Sequence, residues 1–326
     1  MPNILKNKTF KFTIKAFISL GFVAYVIFKV NWIDVLNDIK RVSWWQAILY
    51  IIMLLFGMMV SSYKWKILAD YKKFKLSFFE YFKFYLAGTF INNFMPSFVG
   101  GDAYKSYQVG KENRRFTEAA STVMVDRITG LAGAMILAIF FSLLNIRTVL
   151  QSKVLIVVNI LILVSLFSDI IIAAMKKSDF WKRMAKKFIP EKICYLIKEI
   201  YSYGDSGKIM KKAILLAMVY DIIGIAMVNY VLFWSLGIKI NILDYLSAIF
   251  LTSIVASIPI SINNIGIKEW SYIAFFGVFG IASSPVVTVA ILSRALQMVV
   301  SFFAIPIYLK GRYNLKNNKL FQIIRQ

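Results

Sequence analysis

Histidine is absent from the 326 residues. That removes the commonest general base and the commonest metal ligand. Only one cysteine, Cys194, is present, so neither an internal disulfide nor a thiolate metal centre can form. Acidic residues are scarce: 16 Asp and Glu stand against 39 Lys and Arg, a formal charge of +23. Charged residues make up 17% of the chain, short of the roughly 25% of a soluble domain. A Walker A loop, a G-x-S-x-G elbow, a dinucleotide fingerprint and a DxD-bearing soluble domain are also missing. ATP-driven transport by this chain alone is therefore not expected, and no metal or cofactor is expected.

What the sequence has in excess is apolar length. Hydrophobic residues make up 59% of it, gathered into continuous runs that do not alternate. A hydrocarbon core of about 30 Å takes roughly 20 apolar residues in a helix. Backbone groups find no water there, so helices or closed barrels are the only spanning structures, and continuous runs select helices. Spans are expected at 13–30, 43–62, 116–144, 154–174, 213–236 and 286–309. The first follows a basic N-terminus, as in a signal peptide, but has no small-residue cleavage site, so it reads as an uncleaved span. Between the first two, Trp32, Val35, Leu36 and Ile39 fall at helical spacing, which predicts a short interfacial helix over 31–42. Trp44 and Trp45 then stand in aromatic-belt positions.

Two further apolar segments are interrupted. Residues 77–99 carry Glu80 and Lys83, run into Asn92-Asn93 and break at Pro96, Gly100 and Gly101. Residues 245–267 break at Pro259 and Asn263-Asn264-Ile265-Gly266. The stretches 63–75, 105–115 and 176–212 are basic, as are both termini, whereas 31–42, 145–153 and 237–244 are nearly neutral. The positive-inside rule puts the basic set in the cytoplasm. Parity then makes each interrupted segment enter and leave on one side, 77–102 from inside and 245–269 from outside. The expected fold is an all-α protein of the cell membrane, with about six full transmembrane helices plus two re-entrant helical hairpins in an inverted-topology repeat. It forms a single membrane domain over 1–326. Its first repeat unit covers 13–145, its second, inverted unit covers 154–309, and a basic cytoplasmic connection covers 175–212. The basic excess fits anionic lipid head groups rather than nucleic acid, and the connection reads as an interfacial, lipid-facing surface.

The two interruptions correspond. P-S-F-V-G-G-D runs from Pro96 to Asp102, and P-I-S-I-N-N-I-G-I-K-E from Pro259 to Glu269. Each is an apolar arm followed by Pro, Ser, Gly and an acid. Asp102 precedes Arg127 by 25 residues, and Glu269 precedes Arg294 by 25. Discontinuous helices in inverted repeats surround substrate sites near the bilayer midplane.

Asp126, Arg127, Asp221 and Arg294 fall inside spans. A charge there costs at least about 2.5–3.5 kcal/mol and usually faces a cavity or a partner. Guanidinium matches phosphate bidentately, which makes Arg127 and Arg294 candidates for a lipid phosphate; a structural ion pair is the plainer alternative. Asp102 and Glu269 either hold those arginines or contact a cationic head group. Asp221 pairs with an arginine or with Lys83. Asn93 and Asn264, beside Asn92 and Asn263, cap broken helix ends or contact a head group. Gly100, Gly101 and Gly266 allow positive φ or close approach of a ligand, and amides exposed there would take an anion. Lys105 and Lys268 complete the group. No residue is expected to be catalytic unless Asp102 or Glu269 serves as base in an embedded transferase.

Four stretches in order, N-N-F-M-P-S-F-V-G-G-D-A-Y-K, V-M-V-D-R-I-T-G, S-I-P-I-S-I-N-N-I-G-I-K-E and A-I-L-S-R-A-L-Q, resemble the lysylphosphatidylglycerol synthase transmembrane family. This is the flippase-like membrane domain also found in the multiple peptide resistance factor, and the resemblance covers nearly the whole chain. It implies a domain that moves aminoacylated phospholipid or a related lipid between leaflets, with Gly100, Gly101, Asp102, Arg127, Gly266, Glu269 and Arg294 at the matching positions. Two features depart: the family often has arginine where Lys105 stands, and its second turn is often Gly-rich where Asn263-Asn264 stand here. The full synthase also carries a soluble domain that transfers lysine from transfer RNA. Only a short basic tail follows the last span here, so that activity is not expected of these residues. The expectation is a translocase without its own energy source that binds an anionic phospholipid or lipid-linked substrate. The alternatives are an embedded lipid aminoacyl- or glycosyl-transferase subunit, or a scaffold presenting lipid to a separate soluble transferase.

Overall fold

Polar caps cut the apolar sequence into helices. Asn31 Oδ1 accepts from Ile33 N at 3.1 Å, Gln46 Oε1 accepts from Ser43 N at 3.0 Å, and Asn241 Oδ1 accepts from Leu243 N at 2.8 Å. Each satisfies donors that a helix N-terminus leaves open. The computed structural model describes residues 8–94, 99–175, 191–258 and 260–307, and all regular elements among them are helical. They are α1 (Lys8–Lys29), α2 (Trp32–Arg41), α3 (Trp44–Tyr71), α4 (Phe78–Phe94), α5 (Val99–Gly110), α6 (Phe116–Leu144), α7 (Ile146–Gln151) and α8 (Lys153–Met175). Then come α9 (Glu191–Tyr201), α10 (Gly207–Ser235), α11 (Ile242–Ser257), α12 (Ile267–Val278) and α13 (Ser283–Phe302).

Four of these, α3, α6, α10 and α13, are long and apolar enough to cross a membrane. A fifth is added if α1 and α2, bent by 84°, are taken as one span. That bend sets α2 nearly at right angles to α1, the orientation expected of an interfacial helix over 31–42. The remaining expected span, 154–174, lies within α8, whose stretch Lys153–Phe167 is a shorter apolar helix. One boundary is corrected. The span expected to end at 62, before a basic loop, continues as a helix to Tyr71, because no Gly or Pro falls between 62 and 71 and its buried face runs on through Lys64, Trp65, Leu68 and Ala69.

Both interrupted segments form packed helix pairs, α4 against α5 and α11 against α12. Pro96 and Pro259 lie outside the described residues. Gly88 and Gly101 bring the first two arms together: a Cβ on Gly88 would meet the Gly101 carbonyl oxygen at 3.2 Å. Elements also recur along the chain. Asp102 and Glu269, Arg127 and Arg294, Gly57 and Gly224, and the starts of α6 and α13 are each 167 positions apart. Gly57 and Gly224 touch, since a Cβ on Gly57 would meet Gly224 Cα at 2.6 Å. There α3 and α10 cross backbone to backbone, as small residues permit. At this crossing α10 widens into a π-helical stretch over Asp221–Met227, a form concentrated at functional sites.

The core is aromatic and aliphatic, with Tyr50, Phe233, Tyr245, Phe250, Tyr272 and Phe276 buried. The outside is also apolar: Phe28, Ile52, Phe56, Leu161 and Val164 are exposed, a surface suited to lipid rather than to water. Part of the basic connection is anchored on the helices. α9 and the turn after it dock on the end of α3, with the Tyr203 hydroxyl donating to Leu68 O at 2.9 Å and Lys72 Nζ to Glu199 Oε2 at 2.5 Å. Tyr203 and Leu68 bury apolar surface together, so one face of this part packs on protein, while Ile193, Tyr195 and Tyr201 stay exposed on the rest of it. Residues 176–190 lie outside the described residues.

Candidate functional site

In the first half, α5 delivers Asp102 and Lys105, and α6 delivers Asp126 and Arg127, to one place. Arg127 pairs with Asp102. Lys105 Nζ lies 3.4 Å from Asp102 Oδ1 and 3.9 Å from Asp126 Oδ2. From α3, Lys64 Nζ lies 3.1 Å from Asp126 Oδ1 and donates to the Asp126 carbonyl at 2.7 Å. The Lys64 side chain is 3% exposed and that of Asp126 6%. Removing Asp126 would strand Lys64 as a buried charge, a strongly destabilising change. Lys105 also lies over the rings of Tyr85 and Trp65, 4.9 and 5.2 Å from their centroids, where the ring faces attract a cation. Asn92 Oδ1 accepts from Gly101 N at 2.8 Å and so secures the start of α5.

The second half uses its charges differently. Asn263 and Asn264 both take positive φ, 49° and 54°, a region that Asn enters more readily than most residues. Their turn presents two carbonyls to Arg294, which donates from Nη1 to Asn263 O at 3.0 Å and from Nη2 to Asn264 O at 3.1 Å. Nη2 also lies 3.2 Å from Glu269 Oε1. The other oxygen of Glu269 accepts from Gly266 N at 2.8 Å, which caps α12. Lys268 Nζ donates to Ser293 Oγ at 2.7 Å. The two interrupted segments meet where Asn263 Nδ2 donates to Asn93 O at 3.1 Å.

Two hollows adjoin at this meeting point. The larger, about 360 Å³, has Lys268, Asn264, Asn229, Thr252 and Tyr272 in its wall. The other, about 300 Å³, has Lys64, Lys105, Arg127, Asp102 and Asp126. Tyr85, Thr89, Tyr220 and Ser257 belong to both walls. Each volume falls at the lower end of ordinary ligand pockets, roughly 300–1,000 Å³.

The structure thus gathers Asp102, Lys105, Asp126 and Arg127 into one group, near Gly101, and Glu269, Arg294, Lys268, Gly266 and Asn264 into another. Gly100 sits in the first turn of α5. Arg127 is 46% exposed by side chain and lines the smaller hollow. Arg294 is 23% exposed and is committed to two carbonyls and a carboxylate.

Three expectations are corrected. Asp221 does not pair with an arginine or with Lys83. It packs where α10 meets α6, with Oδ2 3.1 Å from the place a Gly133 Cβ would take, and it feels the charge of Lys64. Gly101 serves the close approach of α4 rather than of a ligand. The amides of Gly101 and Gly266 are not open to an anion, because Asn92 and Glu269 already accept from them. Sequence reasoning missed Lys64, Tyr85 and Thr252. The signal for Lys64 was the unbroken helical spacing beyond Ser62; Tyr85 and Thr252 looked like ordinary packing residues.

A family model described as Lysylphosphatidylglycerol synthase TM region matches residues 12–304. The chain is similar to the UPF0104 membrane protein PH1989 of Pyrococcus horikoshii, 26% identical over 91% of this chain and 96% of that protein. It is also similar to the UPF0104 membrane protein MJ1595 of Methanocaldococcus jannaschii, 24% identical over 91% of this chain and 94% of that one. With a match running through both interrupted segments and every charge described above, the chain is a membrane protein and belongs to the lysylphosphatidylglycerol synthase TM region family.

Proposed function

We propose that the protein takes the head group of an anionic phospholipid or lipid-linked substrate into the two adjoining hollows and carries it between leaflets, as a translocase with no energy source of its own. In this reading it lies in the cell membrane with both termini in the cytoplasm. The observation that carries the reading is a polar hollow with a positive surplus inside a shell of apolar helices. In the walls Lys64, Lys105, Arg127 and Lys268 stand against Asp102 and Asp126. Charges at such depth mark substrate paths, and a positive surplus away from bulk water attracts a phosphodiester. The acyl chains remain in the bilayer while the head group enters.

The recurring elements support an inverted repeat over 13–145 and 154–309, with the interrupted segments as re-entrant hairpins. Transporters of that kind expose their site by rocking one repeat against the other. The Gly57–Gly224 crossing is where such halves would pivot. The embedded-transferase alternative gains less support. Asp102 is engaged by Arg127 and Lys105, and Glu269 by Arg294 and Gly266 N, which leaves neither poised as a general base.

The test is leaflet exchange of fluorescent phosphatidylglycerol in reconstituted vesicles, read by dithionite quenching. Wild type should speed exchange over protein-free vesicles. Arg127→Ala, which halves the surplus charge, should slow it roughly ten- to hundredfold, the equivalent of one charged hydrogen bond at about 1.5–3 kcal/mol. Equal rates with and without wild-type protein would reject the proposal.

A further inference from the structure

The larger hollow has a chemistry of its own. Among the described residues its wall holds one charge, Lys268, and no carboxylate, beside the neutral hydroxyls and amides of Thr252, Ser253, Ser257, Asn229, Asn264 and Gln297. Two of these groups are unpaired. Thr252 is 2% exposed and its Oγ1 has no hydrogen-bond partner. Asn264 Nδ2 is bonded to Ala256 O, but its Oδ1 has no partner. Buried polar atoms left unmet cost about 1–3 kcal/mol each, and both of these line the same cavity. A carbonyl oxygen requires a donor, and a threonine hydroxyl both gives and takes. Ligand hydroxyls meet both demands.

An ammonium would also find acceptors in Asn264 Oδ1 and Thr252 Oγ1, but its charge would need a carboxylate or an open aromatic face. The acids of the neighbouring hollow, Asp102 and Asp126, are already matched by Lys64, Lys105 and Arg127. Lys105 already lies against the Tyr85 ring. The Tyr272 ring stacks on Phe276, with centroids 5.4 Å apart. An ammonium in the larger hollow would face Lys268 with no anion in the wall to offset it. Lys268 spends one N–H on Ser293 and keeps two for a phosphate oxygen.

We propose that this hollow selects a polyol phosphate head group, a phosphodiester bearing free hydroxyls such as phosphoglycerol or phosphoinositol. The phosphate sits at Lys268 and the hydroxyls at Thr252 and Asn264. Head groups that carry an amine are disfavoured, including the aminoacylated lipids that the family resemblance implies. This rests on the lipid-binding reading above.

The full chain in vesicles is tested with trace labelled phosphatidylglycerol, phosphatidylinositol, phosphatidic acid, phosphatidylethanolamine and lysyl-phosphatidylglycerol, with soluble glycerol phosphate as competitor. The first two should exchange at least about tenfold faster than the amine-bearing lipids, a difference of about 1.4 kcal/mol. Phosphatidic acid, which lacks the polyol, should fall between. Thr252→Val should lower the ratio of phosphatidylglycerol to phosphatidic acid exchange by roughly three- to tenfold, as for one neutral hydrogen bond. Asn264→Asp, which adds a carboxylate at nearly constant shape, should shift preference toward the amine-bearing lipids, and it keeps the idea testable if Thr252→Val fails to fold. Amine-bearing lipids exchanging as fast as phosphatidylglycerol in wild type would overturn the polyol inference and leave the translocase standing. No exchange of any lipid above protein-free vesicles would overturn the translocase. Thermal stabilisation by soluble glycerol phosphate in that case would support the polyol phosphate chemistry with a free ester as ligand.

Discussion

Arg127 and Arg294 hold equivalent places in the chain and meet different surroundings. Arg294 ties the Asn263–Asn264 turn to Glu269 through three contacts. Arg294→Ala would leave two carbonyls and a carboxylate unmatched, at a cost of about 3 kcal/mol. Arg127 is half exposed and its acid retains Lys105, so Arg127→Ala should cost less stability than Arg294→Ala. Scanning fluorimetry in detergent should therefore find a larger drop in Tm for the Arg294 variant; equal drops would contradict this division of roles. Arg294→Lys should not restore the loss, because an ammonium cannot span two carbonyls as the planar guanidinium does. At this scale the charged residues inside spans were legible, since charge in an apolar run stands out. Their partners were not: Lys64 lies at the end of an apolar run and reads as the start of a loop. What makes it interior is Asp126, 62 residues away, and no local pattern carries that pairing.

Among elements, the close crossing of α3 and α10 sets the tolerance of the fold. Gly57→Leu would push a side chain into Gly224, whose Cα lies 2.6 Å from the Cβ position. Overpacking of that kind typically costs 1–3 kcal/mol. The variant should melt earlier in detergent and lose exchange activity, whereas Gly277→Ala, whose Cβ meets nothing within 4 Å, should retain both. An unchanged Gly57→Leu protein would show that the two helices separate in the membrane. The second interruption was legible because Asn and Gly tolerate positive φ: Asn263 and Asn264 take 49° and 54°, and Gly266 takes 82° where its Cβ would strike Phe22 at 2.6 Å. The end of α3 was misread because lysines suggest an interface even when the helix continues. The π-helical stretch at Asp221–Met227 has no signature in hydropathy, since it arises from how α10 fits against Gly57.

At the scale of the whole molecule, the claim most open to test is the orientation of the two halves. Lys73 lies at the base of the α4–α5 pair and Lys239 at the base of α11–α12, and both are exposed. In a Cys194→Ser background, Lys239→Cys should react with an impermeant maleimide in intact cells. Lys73→Cys should react only after permeabilisation. Labelling of both from one side would abolish the inverted arrangement. The correspondence of halves was readable from two acids and two arginines at equal spacing, but the contact between the segments was not. It depends on Asn263 reaching the Asn93 carbonyl, across 170 residues of chain.

The ion pairs described around the hollows have one further property. Asp102, Lys105, Asp126, Arg127 and Lys64 are partners within the first half, and Glu269 with Arg294 within the second. Where the hairpin tips meet, the link described is one neutral amide-to-carbonyl bond, a contact of about 1 kcal/mol. Breaking that one bond separates neither group of ions from its counterions, so the point where the interrupted segments touch is held without charge, while the α3–α10 crossing and the Lys72–Glu199 pair hold the halves together elsewhere.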